Sequence, residues 1–192
     1  MYILEKNYEE EINIKNSRFI TLIFKIKTIN DVMEKLENTK EKYPKATHYP
    51  YAYIINDVKK SSDDKEPSGT AGIPILSILE HEKLNNILVI VVRYFGGIKL
   101  GTGGLVRGYT KVLKTILKKA KYIEQVDGKK ISFEIDYQNQ KQTDYLLKDI
   151  VVESKEFKEK IIYTILISND KLYLLNNLNY KIIDDIKIEK RG

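Results

Sequence analysis

Apolar and polar positions alternate from the start of this chain. Residues 9–28, "EEEINIKNSRFITLIFKIKT", are β-branched and alternating enough for one or two strands. Residues 29–44, "INDVMEKLENTKEKYP", switch to helical spacing, with Asn30 expected as the N-cap and Pro44 as the stop. A strand is expected in "ATHYPYAYII", residues 46–55. "NDVKKSSDDKEPSGTAG", residues 56–72, has no periodicity and reads as a long loop, of the kind that often carries function. A short helix with Pro74 near its first turn follows in "IPILSILEHEKL", and the apolar run "NILVIVVRYF" predicts a buried strand. Tyr94 and Phe95, which end that run, are read as core.

From Leu105 onward the spacing is helical again. Leu105, Tyr109, Val112, Leu113, Ile116, Leu117 and Ala120 share one side, while Arg107, Lys111, Lys114, Lys118 and Lys121 fall in a narrow arc on the other. After Tyr122 the texture changes. Strand, helix, two strands, helix and strand succeed one another, the βαββαβ order of a split-βαβ plan. "QVDGKK" is read as a turn that separates the two halves. The expected class is α+β with two domains, residues 1–126 and 129–192. Neither half contains an internal repeat.

Composition adds bounds. With 192 residues and 42% hydrophobic content the chain can build real cores, and without cysteine it has neither disulfides nor thiolate metal sites. The opening "MYILEKNYEEEINIK" is acidic and broken by charge, so neither a signal peptide nor a membrane span is expected there, and a cytoplasmic setting is. The net charge of +6 is unevenly spread. Residues 83–130 hold 11 Lys/Arg against 2 Asp/Glu, whereas residues 1–82 and 131–192 are each slightly acidic. Between Lys83 and Lys121 there is no acid at all. Such a block attracts polyanions, with a strength that salt screens.

Five glycines stand between the apolar strand and the basic helix, where backbone N–H groups can hold an anion. Neither the dinucleotide spacing nor a G-x-x-x-x-G-K-[ST] loop is present, so no nucleotide cofactor is expected. The candidate phosphate contacts are Arg93, Lys99, Gly103, Gly104, Arg107, Lys111, Lys114 and Lys118. Asp63, Asp64 and Glu66, in the long loop with Ser68 and Thr70, are expected to face solvent. Their spacing fits no particular metal, and Ser68 lacks the flanking glycines of a nucleophile elbow. His48 and His81 are read as structural, and no catalytic residue, metal or cofactor is expected.

"SRFIT", "ATHYPYAY", "DDKEPSGTAGIPIL" and "VVRYFGGIKLGTGGLVRGY" together resemble the signature stretches of the IMPACT/YigZ family, and the tail resembles the second domain of its bacterial members. Lys65 stands where the family usually has Gly, and Gly108 replaces a usual Ala. The resemblance implies a first domain with the ribosomal-protein-S5-domain-2-like fold and a ferredoxin-like second domain similar to domain V of elongation factor G. It marks Asp63, Asp64, Glu66, Pro67, Ser68, Gly69 and Thr70 as a family motif loop, and it implies a link to translation control. Three functions stay open at this point. They are RNA or ribosome binding through the basic helix and glycine loop, a protein-interaction module (a partner in translation included), and a metal- or phosphate-dependent hydrolase using the Asp63–Thr70 loop.

Overall fold

The computed structural model describes residues 1–190, in two compact units that divide between Ile123 and Glu124. The first unit is built on an antiparallel sheet of five strands. They are β2 (Tyr8–Ile14), β3 (Ser17–Lys25), β4 (Tyr51–Ile55), β5 (Val58–Ser62) and β6 (Ile87–Tyr94), in the order β2-β3-β6-β4-β5, and a short β1 (Tyr2–Leu4) precedes them. Helix α1 (Ile29–Lys42) covers one face, and α2 (Gly72–His81) and α3 (Thr102–Leu117) cover the other.

Side-chain alternation explains the two layers. Ile20, Leu22, Leu88, Ile90 and Val92 pack with Val32 and Leu36 of α1, while Phe19, Ile23, Val89 and Val91 pack with Ile75, Leu79, Tyr109 and Val112 of α2 and α3. Central β6 is therefore apolar at nearly every position, because both of its faces are covered.

Three expectations need correction. The N-cap of α1 is Thr28, whose side chain accepts from the Asp31 N–H while Asp31 accepts from the Thr28 N–H. That reciprocal pair outcompetes Asn30, which lies inside the first turn. The expected long loop contains β5, joined to β4 by the two residues Asn56 and Asp57, with Asn56 at φ 50°. Its sequence, "VKKSS", shows no alternation because β5 is an exposed edge strand.

The third correction concerns "QVDGKK". Rather than turning, it lies inside the continuous strand β7 (Tyr122–Ile135). A Cβ on Gly128 would stand 2.4 Å from Ile188 Cδ1 and 2.7 Å from the Ile167 carbonyl oxygen. This glycine serves close strand approach and not a bend.

In the second unit β7 is joined by β8 (Val151–Phe157), β9 (Ile161–Ser168) and β10 (Tyr180–Glu189), in the order β10-β7-β9-β8. The expected helices are shorter than their patterns. The first is a 3-10 turn, Tyr137–Asn139, running into α4 (Gln140–Leu146), and the second is the 3-10 helix Asn169–Leu175. Ile131, Phe133, Ile161, Tyr163 and Ile165 form the core with Leu147 and Leu175.

Candidate nucleic-acid interface

Helix α3 divides as its spacing predicts. Leu105, Tyr109, Val112, Leu113, Ile116 and Leu117 are buried, while Arg107, Lys111, Lys114 and, just past the last turn, Lys118 are exposed. Lys119 pairs with Glu10, but none of Lys99, Arg107, Lys111, Lys114 and Lys118 takes part in a salt bridge among the described residues. The ridge keeps its full charge.

At the start of the helix the chain turns through Gly97 at φ 82° and Gly101 at φ 71°. The Arg107 guanidinium folds back over this entrance, with Nη1 3.4 Å from where a Cβ on Gly103 would stand. Gly103 is exposed and Gly104 half-buried against Leu100. The first-turn N–H groups of a helix have no partner within it, so Arg107 and the helix start present one cationic surface, and Lys99 is exposed in the loop that leads into it. Phe95, expected in the core, is 46% exposed beside this loop.

Arg93 lies elsewhere. It is 4% exposed, and its Nη1 donates to Glu66 Oε1 at 2.6 Å while Nη2 donates to Ser17 Oγ at 3.3 Å. The Tyr109 hydroxyl donates to the same Glu66 oxygen at 2.6 Å, and His48 Nε2 stands 3.8 Å from Oε2. Burial and the bond to Glu66 push the Tyr109 hydroxyl pKa far above its ordinary value, so it remains a donor. Two expectations fall here: Arg93 is no phosphate contact, and Glu66 does not face solvent. Three other segments of sequence, at His48, Arg93 and Tyr109, meet at this carboxylate, and Ser17 joins through Arg93; no spacing rule on one chain reveals that. The signal available was chemical, since a charged residue ending an otherwise apolar strand needs a buried partner.

The rest of the motif loop is similarly engaged. Asp63 Oδ1 accepts from the Ala71 and Gly72 N–H groups at 2.9 and 2.8 Å, and Oδ2 accepts from Gly69 N–H at 2.8 Å. Partial burial raises its pKa, but these three donors outweigh it and hold the carboxyl below the usual range. Asp64 Oδ2 accepts from Tyr49 N–H at 2.7 Å, and the Thr70 hydroxyl donates to the Pro67 carbonyl at 2.6 Å. Pro67 and Ser68 are exposed, and Asp63, Asp64 and Gly69 are half-buried. Among the described residues no cluster of His, Asp and Glu has the grouping to hold a metal ion.

Comparison with known proteins places this architecture. The family described as the Impact N-terminal domain matches residues 15–117, which span Ser17, the motif loop, the glycine loop and α3. The chain belongs to the IMPACT family. The IMPACT family member YvyE of Bacillus subtilis is 37% identical over 161 residues, covering 78% of this chain and 74% of its own. YigZ of Escherichia coli, also an IMPACT family member, is 41% identical over 101 residues, half of each chain. Among solved structures, one described as that of a hypothetical protein aligns with a TM-score of 0.68 at 25% identity, over 95% of this chain and 97% of its own. The mixed α/β organisation of this IMPACT family member is thus shared with a solved structure along nearly its whole length.

Proposed function

We propose that this IMPACT family member binds RNA, free or within the ribosome, in translation or its regulation, and that α3 with the glycine loop is its phosphate-binding surface. The observation that carries the reading is the row of exposed cations Arg107, Lys111, Lys114 and Lys118 on one helix face, in no salt bridge among the described residues, with Lys99 exposed in the loop that leads to the glycines Gly103 and Gly104. Family membership supports the link to translation. In the same proposal the first unit takes the S5-domain-2-like fold. The strand order of the second unit, fourth-first-third-second, supports a ferredoxin-like assignment.

Contacts to phosphate orient a strand without reading its sequence, so affinity should vary little among RNAs. With four cations engaged on single-stranded RNA, log K falls against log salt with a slope of roughly −3. Lys111, Lys114 and Lys118 point away from the apolar stripe, so changing all three to Glu leaves the fold intact. The triple variant should flatten the slope and weaken every RNA about equally. Unchanged affinity in that folded variant would move the assignment to a protein-interaction surface. A hydrolase built on the motif loop is disfavoured by the bonds already made there: Asp63 accepts three backbone N–H groups, and Glu66 is buried against Arg93 and Tyr109. No helix among the described residues is long and apolar enough to cross a membrane, and the proposed setting is cytoplasmic.

A further inference from the structure

The second unit holds a cavity of about 690 Å³ between α4 and the 3-10 helix Asn169–Leu175. Tyr145 and Tyr173, at 74% and 65% exposure, are the two most exposed large apolar side chains among the described residues. Both line this one groove, from opposite helical segments. Its floor is apolar, with Leu146, Leu174 and Leu178, and its rim carries the amides of Gln142 and Asn177. We propose that this groove takes an unpaired nucleobase, stacked on the tyrosines, with its 5′-phosphate held by Lys148 and Lys171.

Each part of the lining suits a part of that ligand. An aromatic ring held in water costs solvation that stacking on a base recovers, and every base offers a π face. Side-chain amides present a donor and an acceptor together, which is what the edge of a base requires. Lys148 Nζ stands 5.4 Å from the Tyr145 ring centroid, so a cation already flanks the stacking surface. Lys171 Nζ makes one long bond, 3.5 Å, to the Asp149 carbonyl and keeps donors to spare.

Asp149 is the single acid in the lining, against two lysines. Asp144 of α4 is occupied by Lys155 and the Tyr163 hydroxyl. An amphipathic peptide helix would want a continuous apolar rim, and here the rim is tyrosine, amide and ammonium.

The test uses the full chain labelled with 15N, titrated with adenosine, AMP and a four-nucleotide oligoadenylate. AMP and the oligonucleotide should move the amide signals of residues around Gln142–Lys148 and Lys171–Leu178 saturably, and AMP should bind more tightly than adenosine. Tyr145→Ala and Tyr173→Ala should each weaken binding by about 5- to 150-fold, the range for one stacked base. Tyr145→Phe and Tyr173→Phe, which keep the ring, should retain it. These side chains are mostly solvent-exposed, so the fold survives their truncation.

The same groove shifts should appear in the Lys111, Lys114 and Lys118 to Glu variant, because the site lies in the other unit and stands whether or not the α3 reading does. The proposal is overturned if the groove signals do not move, or if the alanine variants bind as the parent does. Tighter binding of an apolar helical peptide to the same residues would also overturn it.

Discussion

Lys65 sits at φ +68° directly after Asp64 at φ 42°, two side-chain-bearing residues in left-handed backbone. That conformation costs a residue with a Cβ roughly 1–2 kcal/mol, a cost glycine does not carry. Lys65 is exposed and in no salt bridge among the described residues, so little else depends on its side chain. Lys65→Gly should therefore raise stability by about 0.5–1 kcal/mol, net of the flexibility that glycine adds to the unfolded chain. Urea denaturation checks it, and a loss of stability would refute it. One residue on, the balance is electrostatic. Glu66 and Arg93 have side chains 2% and 5% exposed. Arg93→Met strands a buried carboxylate and should cost about 3–5 kcal/mol. The double change Glu66→Gln with Arg93→Met should cost less than the sum of the single changes, and additivity in that cycle would show that the two groups are uncoupled.

At the scale of elements, legibility followed burial pattern. The ridge of α3 was readable because a helix with one face in the core must expose the opposite arc. β5 was not, because an edge strand with Val58, Lys59 and Lys60 all exposed in succession has no alternation to read. Gly128 was misread because a close strand approach and a turn call for the same residue. Helix α3 also contains Gly108, where a Cβ would meet Phe19 Cζ at 3.6 Å and Ile14 Cδ1 at 3.9 Å, ordinary contact distances. Gly108→Ala should add up to about 1 kcal/mol by helix propensity, measurable as a shifted urea midpoint with unchanged slope.

Helix α2 depends on a remote cap, the Asp63 carboxylate on the Ala71 and Gly72 N–H groups. Asp63→Asn should cost about 1–2 kcal/mol at neutral pH. Because the folded chain holds this carboxyl below its unfolded value, the contribution is complete above about pH 4 and fades as pH falls through the folded value. The difference between parent and Asp63→Asn should accordingly shrink toward pH 2, and a difference constant with pH would contradict the assignment.

Across the whole molecule, folding sorts the basic block that composition reports as one run. Arg93 goes inside, Lys119 pairs with Glu10, Lys129 with Asp185 and Lys130 with Glu153, and of the remaining cations Lys99, Arg107, Lys111, Lys114 and Lys118 lie on α3 and its entrance, apart from Lys83 after α2 and Lys121 after α3. Net charge along the sequence could place the surface but not apportion it. The cluster around Glu66 has a consequence in time as well. Its bonds close stretches of 27, 43 and 76 residues, to Arg93, to Tyr109, and from Arg93 to Ser17. The β2-β3 and β4-β5 hairpins close far shorter spans and need not wait for it. The cluster should therefore be the last latch of the first unit, absent from the folding transition state. Arg93→Met should leave the refolding rate nearly unchanged and speed unfolding by about 100-fold or more, as stopped-flow measurement of both arms would show. The lifetime of the native first unit is then set by a contact made only after the barrier has been crossed.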